Sequence, residues 1–67
     1  MSGIQNTNTI NLPHTGHVIA AGHVFRLDIE RGMFCASEYF NGVELHHTYR
    51  ATRADANDVL QAWAAAL

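Results

Sequence analysis

Two turn signals ten residues apart constrain this chain more than any other feature of it. Asn41-Gly42 is the strongest short hairpin signal a sequence can carry, because the turn needs positive φ at both positions. Arg31-Gly32 fits a second tight turn. Between and around them lie three strand-length runs, residues 23–30, 33–40 and 43–51. Phe25, Leu27 and Ile29 alternate with Arg26, Asp28 and Glu30, the period of a strand with one buried face.

Two-residue turns also dictate a register. They set Ile29 opposite Phe34, and Phe34 opposite Tyr49. One face then holds Phe25, Leu27, Ile29, Phe34, Ala36, Glu38, Phe40, Val43, Leu45, His47, Tyr49 and Ala51. The other holds Val24, Arg26, Asp28, Glu30, Met33, Cys35, Ser37, Tyr39, Glu44, His46, Thr48 and Arg50. A slip of one residue in either hairpin mixes the two sets.

The apolar face needs a cover, and the C-terminus supplies one. Thr52-Arg53-Ala54-Asp55 resembles a capping box, with Asp where Glu is commoner. Ala56, Val59, Leu60, Trp63 and Leu67 follow at helical spacing on one side. Asp55 and Asp58 lie near the positive end of that helix. The expected fold is α+β: a three-stranded antiparallel meander with a C-terminal amphipathic helix, residues 53–66, on one face. Upstream, Thr9 to Leu12 alternates and fits a short strand ended by Pro13. Val18 to Ala21 fits an extra short strand or a bulged lead-in. Residues 1–8 read as a loosely ordered tail. Gly16-His17-Val18 and Gly22-His23-Val24 echo one another, but the match is too short for a repeat architecture.

Sixty-seven residues make one small domain, and a chain of that size buries only about 60% of its unfolded surface. An apolar fraction of 48% with 15% charged residues still describes a globular chain. Cys35 is the lone cysteine, so no internal disulfide staples the fold. With no charged-then-apolar start, this suggests a reducing, cytoplasmic setting. No run nears the roughly 18 apolar residues that span a bilayer. The formal charge is −2, with four arginines and no lysine, a poor basis for binding nucleic acid.

Some residues break the pattern. Glu38 and His47 share the expected core face, where a desolvated carboxylate beside an imidazole supports acid–base chemistry. One sheet and one helix offer little concavity, so the favoured reading is structural, a buried or rim hydrogen-bonded pair or a bulge that turns Glu38 outward. His14, His17, His23, His46 and His47 suit zinc, copper or nickel. Yet no paired thiolates accompany them, and adjacent His46 and His47 point to opposite faces. No metal and no cofactor is expected. Cys35 shares a face with His46, but no oxyanion hole or third orienting group accompanies that pair. Val24, Met33, Cys35 and Tyr39 make the second face more apolar than a solvated one. Either Ile10, Leu12, Val18 and Ile19 cover it or a partner does, and the first option is preferred.

The passage from Tyr49 through Ala56 to Trp63 resembles the end of the arm-site DNA-binding domains of tyrosine recombinases. That resemblance implies three strands, a packed helix and a sheet that reads DNA. It covers about 15 residues, and it departs where the sheet meets its ligand. Those domains spread Lys and Arg over the exposed face, whereas Arg26 and Arg50 are offset here by Asp28, Glu30 and Glu44. Double-stranded-RNA-binding domains also contain a β-β-β-α segment, but with a basic helix start in place of Asp55 and Asp58. Neither family is claimed. A protein-binding module ranks first, a nucleic-acid-binding module second, and a metal-binding or enzymatic domain last. A motif-poor chain of this size is similar in kind to phage and mobile-element accessory proteins. Those include stoichiometric inhibitors of host defence such as anti-CRISPR proteins. The expected partner-binding residues are Tyr39, Glu44, His46, Arg50 and Arg26, beside an edge strand at residues 43–51 that a homodimer would also use.

Overall fold

A computed structural model describes residues 10–67. The expected tail at residues 1–8, and Thr9, lie outside the described residues. Four strands form one antiparallel sheet in chain order: β1 (Gly16–Ala20), β2 (His23–Glu30), β3 (Met33–Phe40) and β4 (Val43–Arg50). Helix α1 (Arg53–Ala65) packs on one face of it. The α+β meander is as expected, with the extra N-terminal strand realised as β1. It starts two residues before Val18. Residues 10–12 form no strand.

All three hairpins use the same turn. Ala21, Arg31 and Asn41 have φ of 52°, 54° and 53°, and the glycines after them 81°, 79° and 79°. Positive φ at both central positions matches the right-handed twist of the flanking strands. Asn41 is a residue type that tolerates this region, whereas Ala21 and Arg31 occupy it against the crowding of Cβ and the following carbonyl.

The β2–β3 register is the expected one, with Ile29 opposite Phe34 and Phe25 opposite Glu38. The β3–β4 register is not. Tyr39 pairs with Glu44, but Glu38 pairs with His46, so Leu45 is an extra residue at a bulge. Beyond it every side chain of β4 changes face. Phe34 lies opposite Arg50, and not Tyr49. His46, Thr48 and Arg50 therefore share the helix face, whereas His47 and Tyr49 share the open face with Ser37 and Cys35.

The core lies between sheet and helix. Phe25, Leu27, Ala36, Ala56, Leu60 and Ala64 are fully buried there, with Ile10 closing one side. Thr52 caps the helix, its Oγ1 accepting from the Asp55 amide at 3.1 Å. Trp63 is half-buried against this cluster, and Leu67 is exposed past the helix end.

The N-terminal segment runs along the helix and not over the open face. Asn57 grips Leu12 from both sides, accepting from its amide at 2.8 Å and donating to its carbonyl at 2.9 Å. Gln61 Oε1 accepts from the Ile10 amide at 2.6 Å, and Arg53 donates to the Leu12 carbonyl at 3.0 Å. These contacts spend the strap's backbone groups on helix side chains. The expectation that Ile10 and Leu12 cover the second face is thereby overturned.

Candidate functional site

Two polar clusters occupy opposite faces of the sheet. On the helix face, Glu38 is only 3% exposed, in the second half of the inner strand β3. His23 Nδ1 donates to its Oε2 at 2.6 Å. The other oxygen, Oε1, lies 3.6 Å from His46 Nε2. Aromatic rings fix both imidazoles. His23 stacks on Phe40 with centroids 4.5 Å apart, and His46 stacks on Trp63 at 4.8 Å. A buried carboxylate without partners is costly, so this grip is what allows Glu38 to sit beneath the helix edge. The bulge has its physical reason here. With no extra residue, Leu45 would face Glu38, and leucine offers a carboxylate nothing.

Glu38 and His47, expected as a pair, are thus on opposite faces. The imidazoles that meet Glu38 are His23 and His46. The pairing of Cys35 with His46 fails for the same reason, and His47 takes that place.

The open face carries the second cluster. Cys35 is 2% exposed and Ser37 is also buried, tucked beneath longer neighbours. Cys35 Sγ lies 3.5 Å from His47 Nε2 and 3.7 Å from Nδ1. Near-equal distances put the sulfur over the ring, not in line with one nitrogen. Ser37 Oγ is 3.3 Å from His47 Nδ1, and that nitrogen donates to Glu44 Oε2 at 2.9 Å. At the far end, Tyr49 donates its hydroxyl to Glu30 Oε1 at 2.7 Å.

Burial pushes the Cys35 thiol above its ordinary value; Ser37 pulls it partly back, and Glu30, Asp28 and Glu44 push it further up. The hydrogen bond to Glu30 raises the Tyr49 phenol, because ionising it would destroy the donor. Thiol, imidazole and carboxylate stand in a row, yet the sulfur is not aligned for transfer and burial disfavours its thiolate. That is the opposite of an activated nucleophile.

The rest of the open face is mixed. Arg26 pairs with Asp28 at 3.0 Å. A depression beside it is lined by His17, Ile19, Val24, Arg26 and Asp28, and another by Glu30, Arg31, Met33 and Tyr49. Ile19 is 62% exposed, and Met33 and Tyr49 also face solvent.

Of the expected partner-binding residues, Tyr39, Glu44 and Arg26 are together on the open face. His46 and Arg50 are not. The bulge carries both to the helix face, where Arg50 donates to Thr48 Oγ1 at 2.7 Å and to the Tyr49 carbonyl at 2.8 Å. Sequence reasoning missed His23 as the partner of Glu38, although its place in the alternation of β2 set it on the core face. It also missed Asn57, for which no local pattern gives a signal.

No family model, curated protein or solved structure matches the chain. Among the described residues no helix is long and apolar enough to cross a membrane.

Proposed function

We propose that the chain is a small protein-binding module that docks its open sheet face on a partner and acts by occupancy, without catalysis. The observation that carries this reading is the strap. Because residues 10–12 are spent on the helix, Ile19, Val24, Met33, Tyr39 and Tyr49 share a face that they leave uncovered. Exposed apolar groups set among charges are the composition of a recognition surface. Its charge leans acidic and favours a basic partner: Asp28, Glu30 and Glu44 stand against Arg26, which is already paired, and Arg31 at the rim. Loss of Arg50 from this face weakens the nucleic-acid alternative further, since that affinity rests on phosphate neutralisation. The narrower reading, a phage or mobile-element accessory protein inhibiting a host defence complex as anti-CRISPR proteins do, rests on class analogy alone.

Capture from the native host's lysate with surface variants tests this. Ile19→Asp, Met33→Ala, Tyr39→Ala and Glu44→Ala should each fold normally and weaken capture of a common protein. Arg50→Ala, on the other face, should not. Capture unchanged in all four overturns the reading. A submicromolar Kd for one duplex sequence at about 150 mM salt would establish the nucleic-acid alternative in its place. Concentration-dependent mass in light scattering, abolished by the same four variants, would make the partner a second copy of this chain.

A further inference from the structure

Three donor atoms of different chemistry converge on the open face from three adjacent strands. Glu30 ends β2, Cys35 lies in β3 and His47 in β4. A carboxylate oxygen, the sulfur and an imidazole nitrogen all lie within 4.8 Å of one another. We propose that Glu30, Cys35 and His47 form a binding site for a divalent transition-metal ion, with zinc the best match to the donor set.

The dimensions support this. Zinc binds sulfur at about 2.3 Å and imidazole nitrogen at about 2.0–2.1 Å, so a tetrahedral S–Zn–N edge is about 3.5–3.6 Å. Cys35 Sγ and His47 Nε2 are 3.5 Å apart. The remaining approach falls to Glu30 and His47, which are exposed and held only by surface hydrogen bonds to Tyr49 and Glu44, while Cys35 is the buried base of the site. The sulfur lies over the ring, so loading the site requires His47 to turn until the Nε2 lone pair faces the ion, with the Glu44 bond re-formed on the turned ring.

The surroundings are those of a metal site. A ligating histidine nearly always donates its other nitrogen to a carboxylate or carbonyl, and His47 Nδ1 donates to Glu44 at 2.9 Å, leaving Nε2 to bind. Glu30 keeps one oxygen on the Tyr49 hydroxyl at 2.7 Å, which leaves the other for the ion. Sulfur, nitrogen and oxygen together select zinc, cobalt or nickel over the hard cations magnesium and calcium, which take oxygen ligands. On binding, the thiol releases its proton to solvent and the thiolate sulfur becomes the ligand. Three protein ligands on an open face leave a fourth position for water or for a donor from a docked partner.

Titration of the untagged full-length chain with cobalt(II) tests the site. The expected result is a near-ultraviolet sulfur-to-cobalt charge-transfer band that saturates at one equivalent and is displaced by zinc. Cys35→Ser should abolish the band. His47→Gln changes an exposed residue and keeps the test independent of folding at the buried cysteine; it should weaken binding at least tenfold. Glu44→Gln should weaken it by about 10–100-fold as the partner that positions His47. Absence of the band overturns the proposal. So does a band that His47→Gln leaves unchanged, or saturable binding that survives loss of Cys35 and His47, which would place the ion on other histidines.

Discussion

His23 Nδ1 and Glu38 Oε2 meet at 2.6 Å beneath the edge of the helix, joining the first residue of β2 to a buried carboxylate of β3. The contact is short, and His23 also stacks on Phe40 with ring centroids 4.5 Å apart. The two halves of this pair are not equivalent. His23 reaches solvent, whereas Glu38 does not.

Removing the histidine should therefore cost more than removing the acid. His23→Leu leaves a buried carboxylate with only His46, at 3.6 Å, and is expected to cost about 3–5 kcal/mol. Glu38→Leu leaves an imidazole that water still reaches, so its cost should be smaller. The double variant should recover much of the loss. Urea midpoints of the three proteins measure this cycle, and equal costs for the two single variants would contradict it.

Leu60 and Trp63 make a second contrast. Leu60 is 0% exposed in the centre of the helix stripe, so Leu60→Ala should cost about 2–5 kcal/mol and largely unfold a domain this small. Trp63 is half-buried, with His46 on its ring. Trp63→Ala should cost less than Leu60→Ala and leave a cooperative melt. Circular dichroism melts of both variants, in which the tryptophan change proves the more damaging, would relocate the anchor of the helix.

Much of this fold was legible because local signals agreed with one another. Arg31-Gly32, Asn41-Gly42, the alternation of β2 and the Thr52 cap each name the same architecture. The Ala21-Gly22 turn was hidden, because the apolar run Val18 to Ala21 marks no strand boundary, whereas Arg31-Gly32 follows the clear alternation of β2. The bulge was hidden for another reason. After Leu45, one alternating set is His46, Thr48 and Arg50, and the other is His47, Tyr49 and Ala51. Neither is apolar enough to claim the core, so the hydrophobic pattern does not select a register there. The missing criterion was electrostatic: in the unbulged register Glu38 lies opposite Leu45, and the bulged one brings it an imidazole. Of the candidate site, Tyr39, Glu44 and Arg26 lie before the bulge or on other strands and were placed correctly. His46 and Arg50 lie beyond it and were not.

Asn57 should prove a structural residue out of proportion to its type. It is 5% exposed and makes two hydrogen bonds to Leu12, the contact that ties the strap to the helix. Asn57→Ala removes both and leaves the Leu12 amide without this acceptor. A cost of about 2–3 kcal/mol is expected, at about 1 kcal/mol per bond plus desolvation. Ile10 and Leu12 should then lose hydrogen-exchange protection ahead of the sheet. Protection of those amides unchanged in the variant would show that Gln61 and Arg53 hold the strap without it.

The last prediction concerns Cys35 in the metal-free protein, with chelator present. Thiol reagents attack the thiolate, so reactivity follows the ionised fraction and the access of the reagent to sulfur. Cys35 is disfavoured on both counts, being 2% exposed with its thiol held above the ordinary value by burial and by Glu30, Asp28 and Glu44. A raised value means fewer thiolates at any given pH, so modification at neutral pH should be far slower than for a free cysteine near pKa 8.5. The rate should go on rising with pH after an ordinary thiol has levelled off. The stability contribution has the matching sign. The native state holds the proton more tightly than the unfolded chain, so this group's contribution is fully present below the unfolded thiol's pKa and is lost as pH climbs through the higher native value. Glu30→Gln and Glu44→Gln each remove a negative charge near the sulfur and should shift the rate profile toward lower pH. Stopped-flow modification across the alkaline range reads all of this directly. A profile that levels off at or below the free-thiol value would show that the carboxylates do not act on the sulfur and that access alone protects it.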